Sequence, residues 1–274
     1  MESKIILITG STDGIGKIAS IELTKMGHQV FVHGRNKVKV NTLIQEIETL
    51  TNHKIKGFAA DFSNLDEVKK MADEINGTLE HIDVLINNAG VFYGNASKST
   101  NGYDLRFTVN YLAPYILTNE LIETIQKSKQ PRIINLSSAA QTKLDYNKLE
   151  GKIALETNSA YAQSKLALTI WNTSLAKQYQ NITSIAVNPG SLLKTKMALD
   201  AYGQFWSPAE KGSDLLIELA LDEKHKHHNG DYFDNDSGRY TSAHPDAYNK
   251  NEIKKLIAFT NKILEKNEIY RTSL

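Results

Sequence analysis

The chain has 274 residues, with 32 Lys and Arg against 31 Asp and Glu and no cysteine. A net charge of only +1 argues against nucleic acid or an anionic membrane as the main partner. The lack of cysteine excludes disulfides, thiolate metal sites and a cysteine nucleophile, and a chain this long can bury about 75% of its unfolded surface, enough for one full-sized core. The opening Met1-Glu2-Ser3-Lys4 leads into an apolar run, Ile5 to Ile8, that is far too short for a signal peptide. No stretch reaches the ~20 apolar residues of a membrane span. The expectation is a soluble, cytoplasmic protein.

Ile5-Ile6-Leu7-Ile8 reads as a strand buried on both faces. It runs into Thr9 and the loop Gly10-Ser11-Thr12-Asp13-Gly14-Ile15-Gly16, after which a helix is expected with Ile18, Ile21 and Met26 on its apolar face. Strand, glycine loop and helix in that order can seat a pyrophosphate on the helix N-terminus, where free N–H groups and the positive end of the dipole meet its charge. Glycine serves both the turn and the close approach of backbone to phosphate. The spacing is G-x-x-x-G-x-G, and the alternative is an ordinary loop.

Gln29 to His33 reads as a second strand. An acidic residue at its end would bind the ribose hydroxyls of NAD, but the strand runs into His33-Gly34-Arg35-Asn36. Arg35 can instead make charge-assisted bonds to a 2′-phosphate. NADP(H) is therefore favoured over NAD(H), the alternative being a solvated Arg35. Residues 37–50 read as a helix with Val40, Leu43, Ile44, Ile47 and Leu50 on one side.

A third strand is expected over Ile55 to Ala59, followed by Asp61 and Phe62, both taken as cofactor-side residues. Asp61 can accept from an adenine amino group or cap the helix over 64–77, a task for which Asn64 competes. Ile82 to Ile86 reads as a fourth strand ending in Asn87-Asn88-Ala89-Gly90. Ligands bind at the carboxyl edge of open α/β sheets, which makes Asn87, Ala89 and Gly90 cofactor candidates. Asn87 also suits a turn.

A long helix follows from about residue 101, with Phe107, Val109, Leu112, Ile116 and Leu117 as core and Asn110 among them. A buried asparagine must find partners. Pro131 opens a fifth strand, Arg132 to Leu136, ending in Ser137-Ser138, and residues 139–158 read as a substrate-side loop. The helix expected over 159–179 carries Tyr161 and Lys165 near its start. Positions four apart share a helix face, so a cation stands beside a phenol. It should pull the phenol's pKa down from about 10, each unit corresponding to about 1.36 kcal/mol, and so make a proton shuttle. A solvated amphipathic face is the alternative.

Ile182 to Val187 reads as a sixth strand ending in Asn188-Pro189-Gly190. The apolar segment around 191–206, with Leu192, Leu193, Met197, Leu199, Tyr202, Phe205 and Trp206, reads equally as core and as a lid over an apolar substrate. His225-Lys226-His227-His228 resembles a metal tract only in composition and reads as a solvated turn. Tyr232-Phe233 suits a last strand. The final helix, with Ile253, Leu256, Ile257, Phe259 and Ile263 on one side, would pack on the sheet or on a second subunit, which allows a homo-oligomer.

Thr9-Gly10-x-x-x-Gly14-x-Gly16, Asn87-Asn88-Ala89-Gly90 and Tyr161-x-x-x-Lys165 together resemble the short-chain dehydrogenase/reductase family. Asn110-Tyr111-Leu112-Ala113-Pro114 and Gly230-Asp231-Tyr232-Phe233 are similar to its retinol-dehydrogenase-like branch. The match covers nearly the whole chain. It implies one α/β domain of Rossmann type over 1–274, a doubly wound, seven-stranded parallel sheet with helices on both faces. It also implies nicotinamide-dependent interconversion of a small-molecule carbonyl and alcohol, with Asn110, Ser138, Tyr161 and Lys165 as the catalytic set. Asn110 would hold the lysine through a water or serve as a structural amide. Pro189 and Gly190 would lie beside the nicotinamide. The family's next contact is a Ser or Thr five residues after the proline, where this chain has Lys194, so Thr195 is assigned on the premise of a loop one residue longer. A non-catalytic NADP-binding regulator and an epimerase or dehydratase of the extended relatives are the competing readings.

Overall fold

Runs of β-branched and aliphatic residues without alternation set the centre of the molecule. Ile6, Leu7 and Ile8 are fully buried, as are Val84, Leu85 and Ile86, because helices cover both faces of a parallel sheet. The computed structural model describes residues 2–94 and 96–267. Its strands are β1 (Ile5–Ile8), β2 (Gln29–Gly34), β3 (Lys56–Ala59), β4 (Val84–Asn87), β5 (Arg132–Leu136), β6 (Thr183–Asn188), β7 (Tyr232–Asp234) and β8 (Arg239–Thr241). They lie in one sheet in the order β3-β2-β1-β4-β5-β6-β7-β8. The first seven are parallel, as expected, and Leu7 of β1 is in register with Phe31 on one side and Leu85 on the other. The eighth, absent from the sequence reading, returns antiparallel to β7 with Phe233 opposite Tyr240. It is three residues long and exposed at Arg239 and Thr241, so it carries no apolar run to betray it.

The helices are α1 (Gly14–Lys25), α2 (Lys37–Thr51), α3 (Leu65–Thr78), α4 (Leu105–Phe107), α5 (Ala113–Glu120), α6 (Ile122–Gln126), α7 (Tyr146–Leu149), α8 (Thr157–Gln178), α9 (Lys196–Tyr202), α10 (Glu210–Leu221) and α11 (Lys250–Lys266). One core packs side chains of α3, α5, α8 and α11 on one face of the sheet, and a second packs those of α1, α2 and α10 on the other. This is the doubly wound arrangement.

Local details depart from expectation. The buried stripe of α1 is Ile15, Ala19 and Leu23, with Ile18 and Ile21 only flanking it and Met26 exposed. The true stripe uses an alanine, which a search for large apolar residues passes over. Leu50 of α2 is likewise exposed. The helix from residue 105 is not uniform: a π turn, Thr108–Leu112, joins α4 to α5. The stretch read as loop over 139–158 contains the one-turn helix α7, capped by Asp145 accepting from the Lys148 N–H. α11 lays Ile253, Leu256, Thr260, Ile263 and Leu264 into the core, with Thr260 Oγ1 2.7 Å from the Tyr111 hydroxyl.

The histidine tract is not the solvated turn expected. His225 is buried, 2.7 Å from the Tyr240 hydroxyl and 3.1 Å from a Glu218 carboxylate oxygen, and His228 stacks on Tyr240 at 3.6 Å. Tyr240 belongs to β8, so missing that strand removed the tract's partner. Among the described residues no group of His, Asp or Glu is placed to hold a metal.

Candidate active site

β1 and β4 are neighbours whose connections leave in opposite directions, which opens a crevice beyond their carboxyl ends. The crevice measures about 1210 Å³, more than the roughly 300–1,000 Å³ that suits one drug-sized ligand. Two molecules side by side fit that size.

The glycine loop forms one wall, held against the segment after β4. The Asn88 side chain donates to the Thr9 and Gly10 carbonyls at 2.8 and 2.9 Å. In return Thr9 Oγ1 accepts from the Asn88 and Ala89 N–H groups, both at 3.0 Å. Gly10 has φ +67°, and a Cβ there would stand 2.7 Å from Ala89 Cα. At Gly16 it would meet Asn88 Nδ2 at 2.4 Å. The glycines thus seat the loop on its neighbour. Above Gly14, φ +56°, the nearest atom to a built Cβ is Thr195 Cγ2 at 3.4 Å, and the loop faces the crevice at Gly10, Thr12, Asp13, Gly14 and Ile15. A glycine-walled cradle at the start of α1 fits a pyrophosphate. Ser11 is buried and turned inward, its hydroxyl donating to the Ile8 carbonyl. Asp13 caps α1, accepting from the Gly14 N–H at 2.7 Å. Replacing Gly10 by alanine should lower stability by about 1–3 kcal/mol through positive φ and the Ala89 contact, visible as a lower melting temperature without any ligand.

Asn87 does not belong to the crevice. It is buried, and its amide donates to Thr118 Oγ1 at 3.1 Å and Asn135 Oδ1 at 2.9 Å. From Asn135 the chain of amides continues to Asn172 on α8. Asn88 occupies the place assigned to it. Ala89 and Gly90 line the crevice as expected. At the far end Arg35 is exposed on the rim, with Asp61 and Phe62 opposite. The Asp61 carboxylate accepts from the Ser63 N–H at 2.9 Å, and Asn64 caps α3.

The other end holds Ser138, Tyr161 and Lys165. β5 ends at Leu136 and delivers Ser138 to the rim, while α8 brings Tyr161 and Lys165 up one face. Tyr161 and Ser138 share this end of the crevice, and the Ser138 side chain favours the phenolate. The Ser138 carbonyl accepts from the Tyr232 hydroxyl at 3.0 Å and from Gln141 Nε2 at 2.9 Å, two supports absent from the sequence reading. Ser137 is structural, with its hydroxyl donating to the Lys165 carbonyl at 3.0 Å. The Lys165 ammonium donates to the Leu136 carbonyl at 2.7 Å and lies 5.5 Å from the centre of the Tyr161 ring.

The electrostatics run against expectation. Burial pushes the Tyr161 phenol up to about 12, with the neighbouring Ser138 side chain opposing it. Burial also drops the Lys165 ammonium to about 7. The cation addresses the ring face and a carbonyl rather than the phenolic oxygen. Its attraction therefore does not offset the loss of water by both groups.

Asn110 sits in the π turn, a distortion frequent at functional sites. Its Oδ1 accepts from the Val91 N–H at 2.7 Å, and its Nδ2 donates to the Val91 carbonyl at 3.0 Å and to Ser164 Oγ at 2.9 Å. It ties the loop after β4 to α8, not two strands to each other. A Cβ built on Gly90 would stand 3.4 Å from Asn110 Oδ1 and 3.6 Å from Lys165 Nζ, so the three meet at one point.

Beyond β6, Pro189, Gly190 and Thr195 line the crevice. Thr195 caps α9, accepting from the Ala198 N–H at 3.2 Å. Lys194 is turned away, its ammonium 5.3 Å from the Phe205 ring centre. The excursion from 192 to 207 is closed at its base: the Trp206 N–H donates to the Leu192 carbonyl at 2.9 Å and the Lys194 N–H to the Ser207 carbonyl at 2.8 Å. Within it Met197, Tyr202 and Trp206 face the crevice, and Trp206 is 72% exposed. Buried Phe92 touches both Tyr161, with centroids 4.8 Å apart, and Tyr202, at 5.5 Å.

Comparison with known proteins adds to this geometry. The family model described as short chain dehydrogenase matches residues 4–203. Over 267 residues the chain is 30% identical to retinol dehydrogenase 12 of Mus musculus, covering 92% of this chain and 84% of that protein. A short chain dehydrogenase of Shigella flexneri complexed with NADP superposes with a TM-score of 0.70 at 24% identity, covering 86% of this chain and 98% of that one. One from Escherichia coli CFT073 complexed with NADPH gives 0.72 at 24% identity, covering 86% and 97%.

Proposed function

The chain belongs to the short-chain dehydrogenase family, in its retinol-dehydrogenase-like branch, and from that premise we propose that it interconverts a carbonyl and an alcohol with NADP(H), using Tyr161 as the acid and base. The observation that carries this reading is the grouping of Ser138, Tyr161 and Lys165, with the lysine ammonium 5.5 Å from the tyrosine ring centre, in a crevice that the glycine cradle also lines.

The glycine cradle and the crevice at the carboxyl edge of the sheet would hold NADP(H), which would supply or take up the hydride. The residues of the chain do the rest. The substrate oxygen is held between the Ser138 and Tyr161 hydroxyls, so both can donate to it. Tyr161 gives up its proton as negative charge grows on that oxygen. Burial that keeps the phenol protonated suits it to donation, which is the reductive direction. Lys165 would stabilise the resulting phenolate across the ring face and would hold the nicotinamide ribose, and Pro189, Gly190 and Thr195 would contact the nicotinamide. Asn110, behind the lysine, anchors a water for proton resupply. Positioning and a fixed electrostatic setting supply the rate.

The segment around 191–206 acts as a lid, and Phe92, Met197, Tyr202 and Trp206 give the substrate side an apolar lining. A medium-sized apolar carbonyl compound fits it. Arg35 at the rim selects the 2′-phosphate. A panel of aldehydes and ketones, followed by absorbance with NADPH and with NADH, tests the reading. Arg35→Ala should raise the KM for NADPH about tenfold, the worth of one charge-assisted bond, and leave NADH nearly unchanged. Equal use of NADH by the unaltered protein would remove the Arg35 assignment. Failure to turn over any carbonyl or alcohol with either cofactor would remove the enzyme assignment.

A further inference from the structure

His33 is the last residue but one of β2 and is 2% exposed. A buried imidazole needs partners for both nitrogens, and this one has them. Nδ1 accepts from the Gly10 N–H at 3.2 Å, and Nε2 lies 3.1 Å from the Ala60 carbonyl. A carbonyl only accepts and an N–H only donates, so a single tautomer satisfies both contacts: neutral, with the proton on Nε2. The ring also stacks on Phe62, with centroids 4.3 Å apart and planes 20° apart. Its backbone is tied to the same loop, since the Ser11 N–H donates to the His33 carbonyl at 2.8 Å and the His33 N–H to Ser11 Oγ at 3.3 Å.

From this geometry we infer that His33 is a positioning residue of the cofactor cleft, joining the glycine cradle to the Phe62 wall through its neutral imidazole, and that cofactor affinity is linked to its protonation. This rests on the reading of the crevice as an NADP(H) site. The phosphate end and the adenine end of the crevice are carried by different strands, β1 and β3, with β2 between them. His33 is the side chain that touches both. An imidazolium would turn an N–H toward the Gly10 N–H, and donor would face donor. The Gly10 peptide, already held at positive φ against Ala89, would have to rotate or lose its partner.

The charged groups around the ring are few. Burial disfavours the proton and holds the group at about 4, opposed by the bond to the Ala60 carbonyl and, less, by Asp61 on the connection after β3. Arg35, just after β2, and Asp13 in the glycine loop also line the crevice. The folded-state value lies below the ordinary 6.5. The stability that the neutral form contributes is therefore present above 6.5 and is lost as pH falls toward about 4.

The test measures NADP⁺ binding by calorimetry from pH 7 down to pH 4, with melting curves at each pH, for the unaltered protein, His33→Phe and His33→Asn. Phenylalanine keeps the stack and removes both hydrogen bonds. Asparagine keeps an acceptor that does not titrate. His33→Phe should bind about tenfold more weakly at pH 7, the worth of an unmade buried hydrogen bond. The 2′-phosphate of NADP⁺ takes up a proton in the same range in all three proteins, so the difference between profiles isolates His33. The unaltered protein should lose about twofold more affinity than His33→Asn by pH 4, with the two profiles parallel above pH 5. Profiles for those two that stay parallel down to pH 4, or a folded His33→Phe with unaltered affinity, would overturn the inference. If His33→Phe does not fold, the asparagine profile decides alone. If the unaltered protein does not bind NADP⁺ at pH 7, the reading of the crevice fails first, which is a separate result.

Discussion

Tyr161→Phe should retain NADP(H) binding and lose turnover by about 10²–10⁴-fold, the range of a positioned proton donor. The ring stays, and with it the contact to Phe92, the packing of α8 and the face presented to the Lys165 ammonium. Only the hydroxyl leaves. KM for the carbonyl substrate should change far less than kcat, because the proton is needed as charge develops and little before. Stopped-flow measurement of hydride transfer, beside equilibrium binding of NADPH, separates the two effects. Near-normal turnover in a variant that binds cofactor would end the assignment of the phenol as acid.

Lys165→Met should abolish turnover and make the protein more stable. Lys165 is 4% exposed, and its ammonium is held down to about 7 by burial alone. The unfolded lysine keeps its proton to about 10.5. Between those values the unfolded state binds the extra proton, so stability rises with pH from about 7 up to about 10. Above 10 the buried Tyr161, still protonated to about 12 when folded, reverses the trend. At neutral pH and below, the unaltered protein therefore carries the cost of a desolvated cation. Methionine of similar length removes that cost, although the Leu136 carbonyl loses its donor. A net gain of about 1–3 kcal/mol is expected, with the rise between pH 7 and 10 flattened. A variant that melts lower at pH 7 would show that the amine contributes to the fold as well as to the site.

What could be read from the chain alone follows from what leaves a linear trace. β1 and β4 appear as apolar runs, and β5 and β6 carry shorter ones, Ile133-Ile134 and Ile185 to Val187. The glycine loop and the Tyr161–Lys165 spacing declare themselves because backbone approach and helical period act locally. Asn87 and Asn88 show the limit. They are adjacent and identical in type, and only the pleat at the end of β4 sends one into the amide network of the core and the other onto the glycine loop. The pKa of Tyr161 shows another. Spacing placed a cation near the phenol, but the sign of the shift depends on which atom the cation addresses and how much water both lose. His33, Tyr232 and Gln141 act on Gly10 and Ser138 from 23, 94 and 3 residues away. The only hint of His33 in the chain was a polar residue closing an apolar strand.

The closed base of the 192–207 excursion has a consequence for how such a chain can diversify. Its two ends are hydrogen-bonded to each other, so whatever lies between them is a cassette hung from a fixed frame. Lengthening a loop whose ends already meet adds only about 0.6 kcal/mol per doubling. Insertions, deletions and wholesale exchange of that stretch should therefore leave β6 and α10 undisturbed. Reshaping the apolar mouth of the crevice requires no renegotiation with the sheet.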